Sequence, residues 1–190
     1  MSKKSKFVCL AMTALMTASI FISAGTSVYA SEQDQTTSTS MTTPTVKQFS
    51  EQDVNNLANE LAKNYPELSK EYLTEGIYKQ LRGDYTLEPQ GIMTRAGWQG
   101  VTVGQMGAAI DTAIAIGLGI GTGGLATAVG TFGKHEVQSA IRVAVAKFLG
   151  GKFLNSVILD FAMNLASPGT YIAQQWDKHD KVPNNGRINF

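Results

Sequence analysis

The sequence predicts an all-α fold in which a short acidic helical hairpin packs on a glycine-rich bundle of apolar helices. Four stretches of the chain carry apolar residues at three- and four-residue spacing, the pattern of amphipathic helices. Glycine or proline follows each stretch, as expected at helix ends. Between the second and third stretches, residues 112–133 form a run of 22 residues without a charge that includes seven glycines. The other helices are expected to pack around this run.

Residues 1–30 have the pattern of a secretory signal peptide. Three lysines within the first six residues precede the apolar run 7–22, and small residues follow it. Cleavage between Ala30 and Ser31 is predicted, which makes the mature protein secreted and extracellular; an uncleaved membrane anchor is the alternative. The only cysteine, Cys9, lies in this segment, so the mature chain has neither a disulfide framework nor a thiolate nucleophile.

Residues 31–48 form a Ser/Thr-rich spacer with almost no apolar side chains to bury, and this spacer is predicted to be disordered. The first helix is predicted to begin after Ser50, because Ser50 and Asp53 have the spacing of a capping box. The helix is predicted to end at Tyr65, since Pro66 cannot continue it.

A second helix is predicted over residues 67–82, with Gly83 as its stop. The two helices belong to an acidic leader or masking segment, residues 49–95, whose own core is too small for independent stability. Residues 31–95 hold ten acidic and six basic side chains, whereas residues 96–190 hold five and seven. The acidic segment is therefore expected to cover apolar surface of the second half.

A second cleavage point is predicted in the connector before the apolar half. Arg95 follows a loop that contains Pro89 and Gly91, and it precedes Ala96, where acidic composition changes to glycine-rich apolar sequence. Exposed loops are favoured sites of proteolysis. Cleavage between Arg95 and Ala96 would separate the acidic segment from residues 96–190; an ordinary solvated arginine is the alternative.

The uncharged run is long enough to cross a bilayer as one helix, about 33 Å at 1.5 Å per residue. Its glycines weaken such a helix, each by up to about 1 kcal/mol relative to alanine. We therefore predict two helical pieces with a break at residues 121–124, which pack closely either in lipid or in a soluble core. Asp111, at the edge of the run, is expected to lie near a membrane interface or to pair with a lysine. The glycines predicted to set the packing are Gly117, Gly119, Gly121, Gly123 and Gly124.

Two further amphipathic helices are predicted, over residues 134–150 and 152–166, with Pro168-Gly169 ending the second. Cationic side chains lie away from the apolar stripe of these helices and are predicted to contact anionic lipid headgroups. These cations are Arg142, Lys147 and Lys152. Packing in a protein core explains the same apolar stripe.

The tail, residues 176–190, is predicted to form a short hairpin with a two-residue turn at Asn185-Gly186. Three residues before the turn are of types that bind cations, but their spacing does not match a calcium loop. These residues are Asp177, His179 and Asp180. A surface turn is therefore predicted in preference to a metal site.

Neither a catalytic, nor a cofactor, nor a metal site is predicted, so the chain is expected not to be an enzyme. His135-Glu136 begins like a zinc-protease helix, but Ser139 stands where the second histidine is required. The glycine run lacks the Lys-Ser/Thr ending of a phosphate-binding loop. Neither half carries a basic patch dense enough to predict nucleic-acid binding.

Gly121-Thr122-Gly123-Gly124-Leu125, followed by the helix over residues 137–150, is similar to circular bacteriocins of the enterocin kind. The order of signal peptide, charged leader and Gly/Ala-rich apolar segment resembles secreted bacteriocins of the dysgalacticin kind from Gram-positive bacteria. These resemblances imply an antimicrobial toxin that inserts into target-cell membranes. Its implied partners are anionic lipid, further copies of itself and a membrane-bound immunity protein. The long acidic segment and the polar tail depart from the circular family. A secreted binding or adhesion module with a soluble helical core is the alternative.

Overall fold

The computed structural model describes residues 48–88, 100–120, 125–151 and 153–190, which lie within one compact unit, Pro44–Phe190. The described residues are mostly helical with a two-stranded sheet, which confirms the predicted all-α class. The helices are α1 (Glu51–Asn64), α2 (Lys70–Leu81), α3 (Val103–Gly117), α4 (Ala128–Phe132), α5 (Lys134–Phe148), α6 (Ser156–Ala162) and α7 (Pro168–Asp177). The strands are β1 (Val101–Thr102) and β2 (Arg187–Ile188), and a 3-10 turn spans Leu125–Thr127.

Helix α1 begins with the predicted capping box. The Asp53 backbone N–H donates to Ser50 Oγ over 3.1 Å, and the Ser50 backbone N–H donates to the Asp53 carboxylate over 3.0 Å. The helix ends at Tyr65, the residue before the proline. Helix α2 begins after Ser69, whose side chain caps it, and is followed by Gly83 in a left-handed conformation. Both helix boundaries therefore depend on local capping chemistry.

Helix α3 is the centre of the described fold. Thr102 and Gln105 form a second capping box at its start. Ten of its 15 residues are buried, and α1, α2, α5 and α7 all contact it. Its burial all round follows from its composition, because a helix without a polar face is stable in water only when other elements enclose it.

In the uncharged run, residues 112–133, the first helix ends earlier than predicted. Helix α3 stops at Gly117, before the predicted break at residues 121–124, and Gly119 takes a left-handed conformation with φ +66°. Helical structure resumes with the 3-10 turn and α4. None of the helices in the described ranges is long and apolar enough to cross a membrane.

The region after α5 contains a helix that was not predicted. The predicted helix over residues 152–166 is observed only as α6, which begins after Asn155; the Ile158 N–H donates to the Asn155 carboxamide over 2.9 Å. Pro168 stands at the start of α7, so the Pro-Gly pair begins a helix where we expected only an end. Proline is tolerated in the first helical turn because its missing N–H would have no helical partner there.

The tail pairs with a distant segment instead of folding back on itself. Strand β2 runs antiparallel to β1, with Ile188 opposite Val101. The predicted turn at Asn185-Gly186 is held by Asp177, whose carboxylate accepts the N–H groups of both residues at 3.1 Å. The predicted local hairpin is therefore wrong, because the strand partner of β2 is the residue pair that immediately precedes α3.

Replacement of Asp177 by alanine is expected to lower the free energy of unfolding by about 1–3 kcal/mol, because the two N–H groups of the turn lose their acceptor. Asp177 is 7% exposed, whereas Asp160 lies exposed on α6 and bonds Gln138 and Lys134 at the surface. Asp160→Ala is therefore the matched control, with little expected change. Urea unfolding measures both variants, and equal stability of the two would contradict the assigned role of Asp177.

Candidate functional site

The single charged residue of α3, Asp111, is completely buried. Its carboxylate accepts three hydrogen bonds, from Tyr65 Oη at 2.7 Å, Ser167 Oγ at 2.6 Å and the Gly169 backbone N–H at 2.6 Å. Tyr65 ends α1, and the other two residues lie at the start of α7. The Asp111 carboxylate therefore joins three helices at one point.

The partners of Asp111 are themselves connected. Thr170 Oγ1 donates to Tyr65 Oη over 3.0 Å and lies 2.7 Å from Ser167 Oγ. Among the ion pairs of the described part of the chain, none includes Asp111. Its negative charge is stabilised by hydroxyl and backbone donors and by the partial positive charge at the N-terminus of α7. We call Asp111, Tyr65, Ser167, Gly169 and Thr170 the Asp111 cluster.

Burial is the largest influence on the pKa values of the two titratable side chains in the Asp111 cluster. Loss of water around the carboxylate raises the pKa of Asp111 to about 6, although hydrogen bonds from Ser167, Tyr65 and Gly169 oppose this shift. Burial, together with the nearby Asp111 charge, raises the pKa of Tyr65 far above its usual value. Tyr65 therefore stays a neutral donor, while Asp111 is the group of the cluster that titrates in a mildly acidic range.

Two glycines bring α3 and α7 close enough for the backbone to reach Asp111. A Cβ on Gly169 would collide with the carbonyl oxygen of Gly107 and would lie 2.8 Å from Asp111 Oδ1. A Cβ on Gly107 would lie 3.0 Å from backbone atoms of Thr170. The absence of side chains at both positions is what allows the Gly169 N–H to donate to the carboxylate.

Of the glycines predicted to set helix packing, the two that the structure describes, Gly117 and Gly119, do not share a helical face. Gly117 is the last residue of α3, and a Cβ added to it would be in ordinary contact, 4.0 Å from Ala140 Cβ. Gly119 lies beyond the helix in a left-handed conformation. Gly121, Gly123 and Gly124 lie outside the described residues. Close packing of α3 is instead observed at Gly107.

The predicted cationic residues are exposed where the structure describes them. Arg142 and Lys147 lie on the exposed side of α5, and Lys147 Nζ lies 4.4 Å above the ring of Tyr85. Lys152 lies outside the described residues. The signal sequence, the spacer up to residue 47 and both predicted cleavage points also lie outside them. The cleavage residues are Ala30, Ser31, Arg95 and Ala96.

The Asp111 cluster itself was missed from the sequence. Asp111 was expected near a membrane interface or beside a lysine, but it is buried among hydroxyl groups. A usable signal was Ser167-Pro168 followed by Gly169 and Thr170, because serine before proline is a typical helix start. A helix that starts at this segment supplies N-terminal N–H and hydroxyl donors for an aspartate on an apolar helix.

The tail cluster of cation-binding residue types has structural partners. Asp180 accepts the Asn189 N–H at 2.8 Å, and His179 Nδ1 lies 2.7 Å from the carbonyl oxygen of Gln175. Within residues 48–88, 100–120, 125–151 and 153–190, no group of three His, Cys, Asp or Glu side chains is arranged to hold a metal ion. These contacts join His179 to the end of α7 and Asp180 to the last residues of the tail.

Comparisons with known proteins do not assign this chain to a family. Neither a protein-family model, nor a curated protein, nor a solved structure matches it.

Proposed function

We propose that the chain is a secreted bacteriocin-like protein that inserts into and permeabilises target-cell membranes. The observation that carries the proposal is the enclosure of α3, an apolar helix with one charge, by α1, α2, α5 and α7. An apolar helix of this kind is stable in water only while it is covered. When the cover is displaced, lipid is the alternative environment for its side chains.

The length of α3 sets a condition on insertion. Fifteen residues extend about 22 Å as a helix, less than the roughly 30 Å of a bilayer core. The uncharged sequence continues through residue 133, so a spanning helix would have to recruit residues that follow Gly117. The proposed insertion therefore includes a change of fold after α3. Association between copies would compensate for the low helix propensity of the glycine-rich segment.

The acidic segment, residues 49–95, is proposed to act as a mask, formed by a hairpin of α1 and α2 that packs on α3. The support is two buried hydrogen bonds, one from Tyr65 Oη to Asp111 and one from Gln80 Nε2 to the Ala109 carbonyl oxygen at 3.0 Å. Cleavage after Arg95 would leave only such non-covalent contacts to hold the mask. A membrane-bound immunity protein would protect the producing cell.

Exposed cations on α5 are proposed to make the first contact with anionic lipid. Arg142 and Lys147 are exposed, and Val143 between them is 56% exposed. Each cation near an anionic surface contributes about 1 kcal/mol of attraction, which salt weakens. Binding should therefore precede insertion and should decrease as the salt concentration rises.

One observation favours the competing function, a secreted binding or adhesion module. The Asp111 cluster fixes α3 to its neighbours through three hydrogen bonds to a buried charge. Breaking such a cluster costs several kcal/mol unless its partners move with it. A binding module, in which α3 never leaves its neighbours, would have the same cluster.

The test is dye release from anionic vesicles by the mature chain, residues 31–190. At pH 7.5 Asp111→Asn is expected to release dye roughly tenfold or more faster than the wild type. An inserted α3, extended past Gly117, places Asp111 near its middle, and a charge at the centre of a bilayer costs about 2.5–3.5 kcal/mol. The difference should shrink at pH 5, where the wild-type side chain is itself protonated. Asp160→Asn, on the exposed side of α6, is the control. If neither the wild type nor Asp111→Asn releases dye at any pH, the binding module is the better account.

A further inference from the structure

The turn before β2 contains a residue pair that can react with itself. Asn185-Gly186 is the only Asn-Gly pair in the sequence, and both residues are exposed. The backbone nitrogen of the residue after an asparagine can attack the side-chain carboxamide, and glycine, which has no side chain, hinders this attack least. The reaction needs no enzyme and no partner other than water. The turn predicted at this pair is therefore also a candidate site of deamidation.

The carboxamide of Asn185 is held in a state that favours attack. Its Oδ1 accepts the Arg187 N–H at 2.9 Å and an N–H of the Asn189 side chain at 3.2 Å. Two donors at this oxygen withdraw electrons from the carbonyl carbon and stabilise the negative charge that develops on the oxygen during attack. The carboxamide therefore does not protect the pair.

The attacking nitrogen, by contrast, is held by Asp177. The Gly186 N–H donates to Asp177 Oδ2 over 3.1 Å, and the Asn185 N–H donates to Oδ1 of the same carboxylate over 3.1 Å. Attack requires the Gly186 nitrogen to lose its proton, and a carboxylate at hydrogen-bond distance disfavours the resulting anion because like charges repel. Asp177 is 7% exposed, so solvent screens this repulsion only weakly. The nitrogen is therefore unreactive while the turn is closed.

The carbonyl side of Gly186 is held as well. The Val103 N–H, at the start of α3, donates to the Gly186 carbonyl oxygen over 3.0 Å, and the next two residues pair with β1. Bond formation moves the Gly186 nitrogen onto the carboxamide carbon of Asn185, and contacts on both sides of the pair oppose this movement. Reaction therefore requires the tail to open locally, which costs less free energy than unfolding of the whole protein.

We propose that Asn185 is a site of spontaneous deamidation, which Asp177 keeps closed in the folded protein. After local opening, the Gly186 nitrogen loses its proton and bonds to the side-chain carbonyl carbon of Asn185, whose bond to Nδ2 breaks. Nδ2 leaves as ammonia with that proton, and a succinimide ring remains. Water opens the ring to either an aspartate or an isoaspartate, in which the main chain runs through the side chain. The inference does not depend on membrane activity, because the binding module would carry the same turn.

The isoaspartate product cannot rebuild the turn. It adds one methylene to the main chain between the two N–H groups that share the Asp177 carboxylate, and it brings a new carboxylate close to that acid. The contact between Gly186 and the Val103 N–H would be lost with the turn, so the tail would no longer hold the start of α3. Deamidation therefore makes a transient opening of the tail permanent.

The test is the rate of deamidation of the mature chain, residues 31–190, in mildly alkaline buffer, followed by mass spectrometry of the peptide that contains Asn185. We expect slow reaction in the folded wild type and fast reaction in guanidinium chloride; equal rates would refute the protection. Asp177→Ala should react at least about tenfold faster than the folded wild type, which is about 1.4 kcal/mol in the opening equilibrium for two lost hydrogen bonds. Asn185→Gln should abolish the reaction, because its longer side chain would have to close a six-membered ring. An unchanged rate in Asn185→Gln would place the reaction at another residue.

Gly169→Ala separates local opening from global unfolding. Its Cβ would collide with the Gly107 carbonyl oxygen between α3 and α7, so it destabilises the fold and leaves both Asp177 acceptors in place. We expect its deamidation rate to stay within about twofold of the wild type, because the tail opens without global unfolding. Equal acceleration in Gly169→Ala and Asp177→Ala would assign the protection to global stability and overturn the role of Asp177. If Asp177→Ala does not fold, the wild type in both solvents and Gly169→Ala still decide.

The fate of the turn is measured on the isoaspartate form, separated from the wild type by ion exchange. We expect it to unfold at a lower denaturant concentration than the unmodified protein, because Asp177 and Val103 lose their partners in the turn. An unchanged midpoint would show that the turn closes again after modification, and it would refute the permanent release of the tail.

Discussion

Gly169→Ala is expected to lower the free energy of unfolding by about 3 kcal/mol, although alanine favours a helix more than glycine does. The added Cβ would collide with the Gly107 carbonyl oxygen, which belongs to the backbone of α3 and has no rotamer that avoids the contact. Overpacking of this kind costs about 1–3 kcal/mol. Separation of α3 from α7 would also weaken the hydrogen bond from the Gly169 N–H to buried Asp111.

The control for this variant is Gly151→Ala, where a Cβ would meet no atom within 4 Å. Chemical unfolding of both variants at pH 7 measures the difference between their free energies of unfolding. We expect Gly151→Ala to stay within about 0.5 kcal/mol of the wild type. If Gly169→Ala were as stable as Gly151→Ala, the added Cβ would not collide with Gly107, so α3 and α7 would lie farther apart than described here. The Gly169 N–H would then be too far from Asp111 to donate to it.

Between pH 4 and pH 7, Asp111 is expected to lower the free energy of unfolding of the wild type by about 3 kcal/mol. Asp111→Asn is expected to abolish this contribution. The folded protein raises the pKa of Asp111 from 3.8 to about 6, so the folded state binds this proton more tightly than the unfolded chain does. The resulting stabilisation is fully present below pH 3.8 and is lost as the pH rises through about 6. Two pKa units correspond to about 3 kcal/mol. The asparagine side chain has the same shape and does not titrate.

The measurement is the difference in unfolding free energy between wild type and Asp111→Asn at several pH values. Taking the difference cancels groups common to both proteins, including Asp84 and Asp180, whose lowered pKa values give the opposite slope. The wild type should gain stability relative to the variant as the solution becomes acidic. A difference that is constant from pH 4 to pH 7 would show that Asp111 titrates as an ordinary exposed carboxyl does.

Features that depend on neighbouring residues could be predicted from the sequence. The Ser50 capping box, the end of α1 before Pro66 and the left-handed Gly83 after α2 each follow from a few adjacent residues. The α5 helix, predicted over residues 134–150, is observed as Lys134–Phe148 for the same reason. Local capping and side-chain periodicity are enough to place these elements.

Features that depend on distant residues could not be predicted in this way. Glycine spacing indicates that helices pack closely, but it does not say which face meets which helix, and the close approach is at Gly107 and Gly169. The partners of Asp111 lie 46 to 58 positions away in the sequence. The pairing of β2 with β1 likewise needs the tertiary fold, since an Asn-Gly turn alone favours a local hairpin.

The pairing of β1 with β2 also sets an order of events during synthesis. Arg187 and Gly100, joined beside this strand pair, are separated by 87 positions, and α7 likewise follows α3 in the chain. A nascent chain that has been made only as far as α5 therefore exposes the surface of α3 that α7 later covers. Of the described helices that contact α3, only α1 and α2 are made before it. The acidic helices are therefore available to cover the apolar helix as soon as it leaves the ribosome, and they fold together with it because their own core is too small to fold alone.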